Sequence, residues 1–309
     1  MEFLYFLEGV RNPVLDLIFG TITYLGDEIA FLVLALTFFW CVDKRRGYYL
    51  LCVGFFGVVM NQVLKFCFRI PRPWVLDPNF KAVESAVPAA SGYSFPSGHT
   101  QNATGTLGGI ARSSRSAKKT VVRIVSIAAI LLVAFSRMYL GVHTPLDVGV
   151  SLLIGTVMVF LLYPLFEYAN KNEKVYYFIF AGVSVIAVGF LVFVLTFSNL
   201  VELDGEHLKS GIKNACTILG AAFGVLVSYP IEYKLIRFKE KAPLLWQVVK
   251  LVLGLACVLL VKEGLNILFG GDAEPYALRA VRYFAVVTFS ICVYPLLFSR
   301  LEGLWNKNR

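Results

Sequence analysis

The chain has 309 residues, of which 58% are hydrophobic, 15% aromatic and only 16% charged, with a formal net charge of +9 and a mean hydropathy of +0.71. A soluble domain is about half apolar and about a quarter charged, so these values exclude an ordinary soluble fold and place the chain in a bilayer. The positive balance does not read as a nucleic-acid surface, because Lys and Arg occur in short clusters between apolar runs, as in cytoplasmic membrane loops.

In chain order, Met1 to Arg11 carries Glu2 and Glu8 and no basic stretch. It reads as a short interfacial helix with Phe3, Leu4 and Phe6 toward lipid, rather than as a cleavable signal peptide. Apolar runs then predict nine spans, at residues 14–42, 47–68, 98–112, 120–140, 146–168, 175–198, 211–231, 244–269 and 277–299; crossing a hydrocarbon core takes about 20 residues. The first contains Gly26-Asp27-Glu28 and reads as two pieces, an interfacial helix followed by the true span. The third is short and rich in Gly, Thr and Ala, which predicts a helix packed inside the bundle. Cys41, Cys52, Cys67, Cys216, Cys257 and Cys292 fall in or beside these runs without metal-ligand spacing and read as packing residues.

The connecting loops alternate in charge. Lys44-Arg45-Arg46 follows the first span; Arg112, Arg115, Lys118, Lys119 and Arg123 follow the third; Lys171 and Lys174 the fifth; Lys234, Arg237, Lys239 and Lys241 the seventh; Arg300, Lys307 and Arg309 close the chain. The loops after the sixth and eighth spans are acidic or mixed, with Glu202-Leu203-Asp204-Gly205-Glu206, and Asp272 with Glu274. Counting Lys and Arg therefore predicts an outward N-terminus and an inward C-terminus, with the loops after spans two and four on the non-cytoplasmic face.

Three segments near those outer ends carry chemistry. They are Lys65-Phe66-Cys67-Phe68-Arg69-Ile70-Pro71-Arg72-Pro73, Pro96-Ser97-Gly98-His99, and Ser136-Arg137 followed by His143 and Asp147. Lys65, Arg72 and Arg137 are three cations at one membrane face, suited to the charge that a transferring phosphoryl group spreads over its oxygens. Lys65 taken alone is also compatible with a lysine snorkelling from a helix end. Pro71 and Pro73 end the preceding helix and constrain Arg72. Pro96-Ser97-Gly98 leads into a helix whose free amides make an anion site, although Ser-Gly before a helix is also an ordinary helix start. Thr144, Pro145 and Asp147 read as N-cap, first and third positions of the next helix. Asp147 is then a capping carboxylate that can also fix the tautomer of His143.

The three segments together match, position by position, the signature K-x6-R-P, P-S-G-H and S-R-x5-H-x3-D. The chain over residues 1 to 170 thus resembles the type-2 phosphatidic acid phosphatase superfamily. The resemblance implies an all-α polytopic bundle with a six-helix catalytic core, here residues 1–172, followed by additional transmembrane helices at 173–309. It implies that His143 attacks phosphorus to form phosphohistidine and that His99 protonates the leaving oxygen and then activates water. Lys65, Arg72, Arg137, Ser97 and the Gly98 amide hold the phosphate. No cofactor is expected, and no metal, since the outer loops lack a carboxylate cluster suited to Mg²⁺.

The implied substrate is a membrane lipid phosphate, a polyprenyl diphosphate such as undecaprenyl diphosphate or a glycerophospholipid phosphate. The same chemistry on a soluble or sphingoid phosphate, as in glucose-6-phosphatase and sphingosine-phosphate phosphatases, is the alternative. A non-catalytic lipid-binding or flipping protein is a reading of another class, against which stand both histidines, the aspartate and the three cations. The spans exclude a soluble haloperoxidase with a similar signature. The expected site is a plasma (inner) membrane with the active site toward the periplasm or exterior, or the lumen if the membrane is endoplasmic reticulum.

Trp74 to Tyr93, with Lys81 and Glu84, is expected to meet the headgroup; Asp16, Asp27 and Glu28 to line the substrate entrance; and His207 to be a solvated loop residue. Lys250, Lys262 and Glu263 are expected to pair within the C-terminal bundle or line a cavity, with the adjacent Lys262 and Glu263 unable to face each other. Residues from 173 onward are compatible with a homodimer surface, a wall of the lipid cleft or a fused transport module.

Overall fold

The computed structural model describes residues 1–90, 92–114, 119–200 and 205–307. Arg115 and Lys118 of the second basic cluster, Glu202, Leu203 and Asp204 of the acidic loop, the side chain of Asp272, and Arg309 lie outside the described residues. The described chain is built of helices and connecting loops, without strands, and divides into two compact units. One comprises Met1–Ala35 with Arg46–Glu167, the other Leu36–Arg45 with Tyr168–Arg309.

The first unit opens with α1 (Glu2–Gly9) and α2 (Pro13–Ile22). Asn12 caps α2 by accepting from the Leu15 amide at 3.0 Å, with Pro13 at the first helical position. In α1, Phe3 and Phe6 are exposed as expected, whereas Leu4 is buried, because its face of the short helix is turned onto the protein. A 3₁₀ turn at Thr23–Gly26 leads to α3 (Glu28–Thr37), and the chain bends by 50° between Pro13–Gly26 and Glu28–Val42. The first predicted span is thus two pieces, broken at Gly26-Asp27-Glu28.

α4 (Lys44–Phe68) and the short α5 (Pro73–Leu76) are followed by a long loop, then α6 (Gly98–Ser113), α7 (Lys119–Tyr139) and α8 (Pro145–Lys171). α6 has 16 residues, about 24 Å at 1.5 Å per residue, and is not among the helices long and apolar enough to cross a membrane. Seven helices meet that criterion among the described residues, or eight with the bent pair counted as one span. The expected nine is therefore not confirmed, and the difference is α6. Its packing among neighbours is as its small residues predict, but at this length it falls short of the criterion for a span. Its small residues are where the neighbours sit: a side chain at Gly109 would overlap Leu50 of α4, and one at Gly155 of α8 would overlap Thr104 of α6.

The second unit contains α9 (Lys174–Leu200), α10 (Gly205–Ile231), α11 (Leu244–Leu268), α12 (Tyr276–Thr288) and α13 (Tyr294–Lys307), with π-helical turns at Phe38–Val42, Glu232–Ile236 and Phe289–Val293. Gly220 and Gly224, one turn apart on α10, admit the backbone of α12 at Ala280 and Phe284. Lys250 is buried and donates to the Glu240 carbonyl at 2.8 Å above the Phe298 ring. Lys262 and Glu263 do contact each other, at 2.7 Å, contrary to the helical-spacing argument; both are exposed, and their long side chains turn back along the helix surface. Cys67, expected to pack, is exposed, and all six cysteines are free.

The buried Glu232 pairs with Lys44 at 2.6 Å, and the same ammonium reaches the Phe238 carbonyl at 3.0 Å. Removing one partner of such a pair strands a poorly solvated charge, a loss of about 3 kcal/mol. Glu232→Ala should lower the thermal midpoint in detergent by several degrees and Glu232→Gln, which keeps an acceptor, by less; equal midpoints for all three proteins would refute a stabilising role for this pair.

Candidate active site

All eight residues singled out for chemistry lie in the first unit. Lys65 ends α4 and donates to the Tyr93 carbonyl at 2.9 Å. The chain leaves that helix through Arg69, at φ 49°, and reaches Arg72 as the extended residue before Pro73. Arg72 is buried; its Nε donates to the carbonyl of Gly92 at 3.0 Å and one terminal nitrogen to that of Val142 at 2.9 Å. Gly92 is at φ +71°, the left-handed conformation that glycine adopts without strain. The same terminal nitrogen lies 2.9 Å from His143 Nε2.

His143 sits immediately before α8, and the predicted cap is present: Thr144 N donates to Asp147 Oδ2 at 2.8 Å and Asp147 N to Thr144 Oγ1 at 3.3 Å. Asp147 Oδ2 also lies 3.5 Å from His143 Nδ1. Asp147 therefore does both jobs at once, capping the helix and facing one ring nitrogen while Nε2 faces Arg72. Burial, and then the charges of Arg72, Arg137 and Lys65 and the nearby His99, hold the His143 pKa well below the ordinary histidine value. The ring is therefore held in its neutral form at neutral pH.

Ser97 caps α6: its Oγ accepts from the Thr100 amide at 3.4 Å and sits 3.0 Å from the Thr100 hydroxyl. The Gly98 and His99 amides precede the first intrahelical bond, which runs from Gln101 N to Ser97 O at 3.1 Å, and so form the donor end of the helix. Burial, then Arg137, Arg72 and Lys65, push His99 down to about 3; an approaching phosphate anion opposes that effect. Arg137, at the end of α7, is buried, with one terminal nitrogen on Thr23 Oγ1 at 2.8 Å and its Nε without a partner among the described residues. A buried guanidinium nitrogen with nothing to donate to is suited to an anion.

Several contributors have no string signature. Ser94 donates to Asp147 Oδ2 at 2.6 Å and its amide to the Ile70 carbonyl at 2.8 Å, joining the first and third segments. Asn61 donates to Gln101 Oε1 at 3.0 Å and to the Pro96 carbonyl at 3.2 Å, while Gln101 donates to the Gly57 carbonyl at 2.6 Å, pinning α4 to the head of α6. A polar pair within apolar runs is a signal that could have found these two. Asp16, expected at the entrance, accepts from the Tyr139 hydroxyl at 2.9 Å and serves as a strut. The Trp74–Tyr93 stretch is tied down by Tyr5 to Asp77 at 2.8 Å, by Arg11 to the Lys81 carbonyl, and by the Val83 amide to the Leu140 carbonyl at 3.0 Å; Ser91 within it lies outside the described residues. His207, expected in a loop, lies in the first turn of α10 in the second unit.

Two family models match: the PAP2 superfamily over residues 45–171, and the PAP2 superfamily phosphatase transmembrane extension over residues 216–307. The chain is 34% identical over 156 residues to undecaprenyl-diphosphatase BcrC of Bacillus subtilis, covering 50% of this chain and 76% of that protein. It is 30% identical over 159 residues to a probable sphingosine-1-phosphate phosphatase of Dictyostelium discoideum, covering 48% of this chain and 38% of that protein. It is 26% identical over 272 residues to sphingosine-1-phosphate phosphatase 1 of Mus musculus, covering 83% of this chain and 61% of that protein. The chain thus spans less than two thirds of these sphingosine-1-phosphate phosphatases. No solved structure matches significantly. With its helical membrane architecture and a bacterial phosphatase relative matched over three quarters of that relative's length, the chain belongs to the PAP2 superfamily and is an integral membrane lipid phosphatase.

Proposed function

We propose that the protein hydrolyses a lipid phosphate or diphosphate, with a polyprenyl diphosphate as the first substrate class, through a phosphohistidine on His143. The observation that carries this reading is the arrangement around that ring: Nδ1 faces Asp147 at 3.5 Å and Nε2 faces Arg72 at 2.9 Å. Phosphate oxygens would draw the Arg72 donor onto themselves and leave the Nε2 lone pair directed at phosphorus. A bond then forms between His143 and phosphorus as the bond to the leaving oxygen breaks, and that oxygen takes a proton from His99. Water next attacks the phosphohistidine, gives a proton back to His99, and releases inorganic phosphate with neutral His143. Lys65, Arg72, Arg137 and the amide end of α6 carry the charge of both transition states. In this reading the Ser97 hydroxyl chiefly caps α6, and its binding role passes through the helix end it shapes.

The polyprenyl choice is supported by the Bacillus relative, whose name gives undecaprenyl diphosphate. A sphingoid phosphate is the second reading, favoured by the mouse relative, whose match extends over 83% of this chain and so into the C-terminal helices. Residues 1–172 are read as the catalytic core and 173–309 as an extension that adds lipid-facing wall or a homodimer surface. The Lys and Arg distribution supports an active site on the non-cytoplasmic face of a plasma membrane.

Phosphate release from undecaprenyl diphosphate, phosphatidic acid and sphingosine phosphate, run in EDTA on detergent-solubilised protein, ranks the substrates. His143→Ala should give no release from any of them. Arg137→Ala should cost about 10²- to 10³-fold, the effect of losing one preorganised oxyanion donor. A loss below about threefold would remove Arg137 from the phosphate site, and release that EDTA abolishes would refute a metal-independent reaction. For sidedness, Asn79→Cys in a Cys67→Ser background should react with an impermeant thiol reagent in intact cells, while Lys119→Cys should not; the reverse pattern inverts the topology.

A further inference from the structure

We propose that Asp27 is a positioning residue for the general acid, its carboxylate holding the His99 imidazolium toward the leaving oxygen. The proposal rests on the phosphatase reading above and adds a residue from the broken first span, outside the 45–171 family match. Asp27 Oδ1 accepts from the Ile29 amide at 2.8 Å, which anchors the carboxylate at the start of α3. Its other oxygen, Oδ2, lies 3.9 Å from His99 Nε2. The contact is not a chance of side-chain length, because the backbone beside it is fitted to the same place: a side chain at Gly26 would overlap the His99 carbonyl and Val133. One turn earlier Thr23 holds Arg137 at 2.8 Å. The segment from Thr23 to Asp27 thus touches both a phosphate-binding cation and the acid.

Charge explains the need. A general acid must carry its proton when the leaving oxygen departs. The cations that act on His99 are Arg137, Arg72 and Lys65, from α7, the loop after α4, and α4 itself, and His143 adds no negative charge. Asp147 is engaged by Ser94, Thr144 and His143. Among the described residues, Asp27 is the carboxylate in ion-pair range of His99. In the phosphorylation step the bond from His143 to phosphorus forms, the bond to the leaving oxygen breaks, and the proton moves from His99 to that oxygen. Asp27 exchanges no proton in this step.

The test separates this role from a helix cap. Asp27→Asn keeps an oxygen for the Ile29 amide and removes only the charge. Two esters are compared by kcat/KM, which covers steps through leaving-group departure: dodecyl phosphate, whose alkoxide needs a proton to leave, and p-nitrophenyl phosphate, whose phenolate leaves as the anion. The ratio of the two values from one preparation cancels the active fraction, so partial misfolding does not confound it. Asp27→Asn is expected to lose about tenfold or more on the alkyl ester and less than threefold on the aryl ester, against the 10²- to 10⁴-fold that general acids contribute. His99→Asn should show the same split more strongly, and Asp27→Glu should recover part of the alkyl activity. Should Asp27→Asn not be recoverable in detergent, Asp27→Ser, which also caps a helix, carries the same comparison. Equal losses on both esters, or none, alongside a clear split in His99→Asn would overturn the Asp27 role and leave the phosphatase reading standing. No split in His99→Asn would remove His99 as the acid and the proposal with it, while loss of both activities in His143→Ala would still stand for the nucleophile.

Discussion

Three cations are gathered around one neutral, buried histidine, and this crowding of like charge is the constraint that the first unit is built to sustain. Lys65, Arg72 and Arg137 come from three separate parts of the chain, and each acts on His143. Like charges in a poorly solvated place repel, and each must be pinned to stay. Their hydrogen bonds include neutral pins: the carbonyls of Tyr93, Gly92 and Val142, and the hydroxyl of Thr23. Neutral pins hold direction without cancelling charge, while Asp147, Asp27 and Glu28 act on the same cations and offset part of their repulsion. In the proposed reading, a phosphate entering the site would relieve repulsion and gain donors in the same movement.

The local structure around that cluster follows from the need to hold it. Helix starts are used twice, once at Ser97 to present amides and once at Thr144 to lock Asp147, whose Oδ2 is shared among Ser94, the Thr144 amide and the His143 face. Pro73 and Pro145 open the helices that follow Arg72 and His143 and so set the backbone there. The Asn61–Gln101 pair fixes α4 against α6, so that Lys65 and His99 approach from fixed directions. The break at Gly26-Asp27 brings a third element to the same point.

Much of this was legible as strings. The signature residues are local patterns whose chemistry is recognisable from residue type and spacing, and the Thr144–Asp147 cap follows from positions three apart on a helix start. Span positions were legible because hydropathy is a sum over neighbours. What escaped was whatever depends on distant partners. Ser94 is an unremarkable serine until Asp147 is placed beside it, and Thr23 is one among many in apolar runs until Arg137 arrives. The small residues of α6 did signal packing inside the bundle, but not that its length falls short of a span, and Leu4 was assigned to lipid because the sequence does not show which face of α1 meets the protein. Lys262 and Glu263 failed a rule about helix faces because that rule describes Cβ directions, whereas long side chains choose their own path. Asp27 was noticed only as a costly charge in a membrane segment; its direction toward His99 needed the bend.

The account stands or falls on His143 as the point of covalent attachment. The direct measurement is a rapid quench of the solubilised protein with radiolabelled lipid phosphate, followed by alkaline digestion and mapping of the labelled peptide. The account predicts acid-labile, base-stable phosphate on the peptide that contains His143, formed and lost at rates compatible with turnover. Label on any other residue, or phosphate released in a single turnover without a labelled protein at any time point, would contradict it.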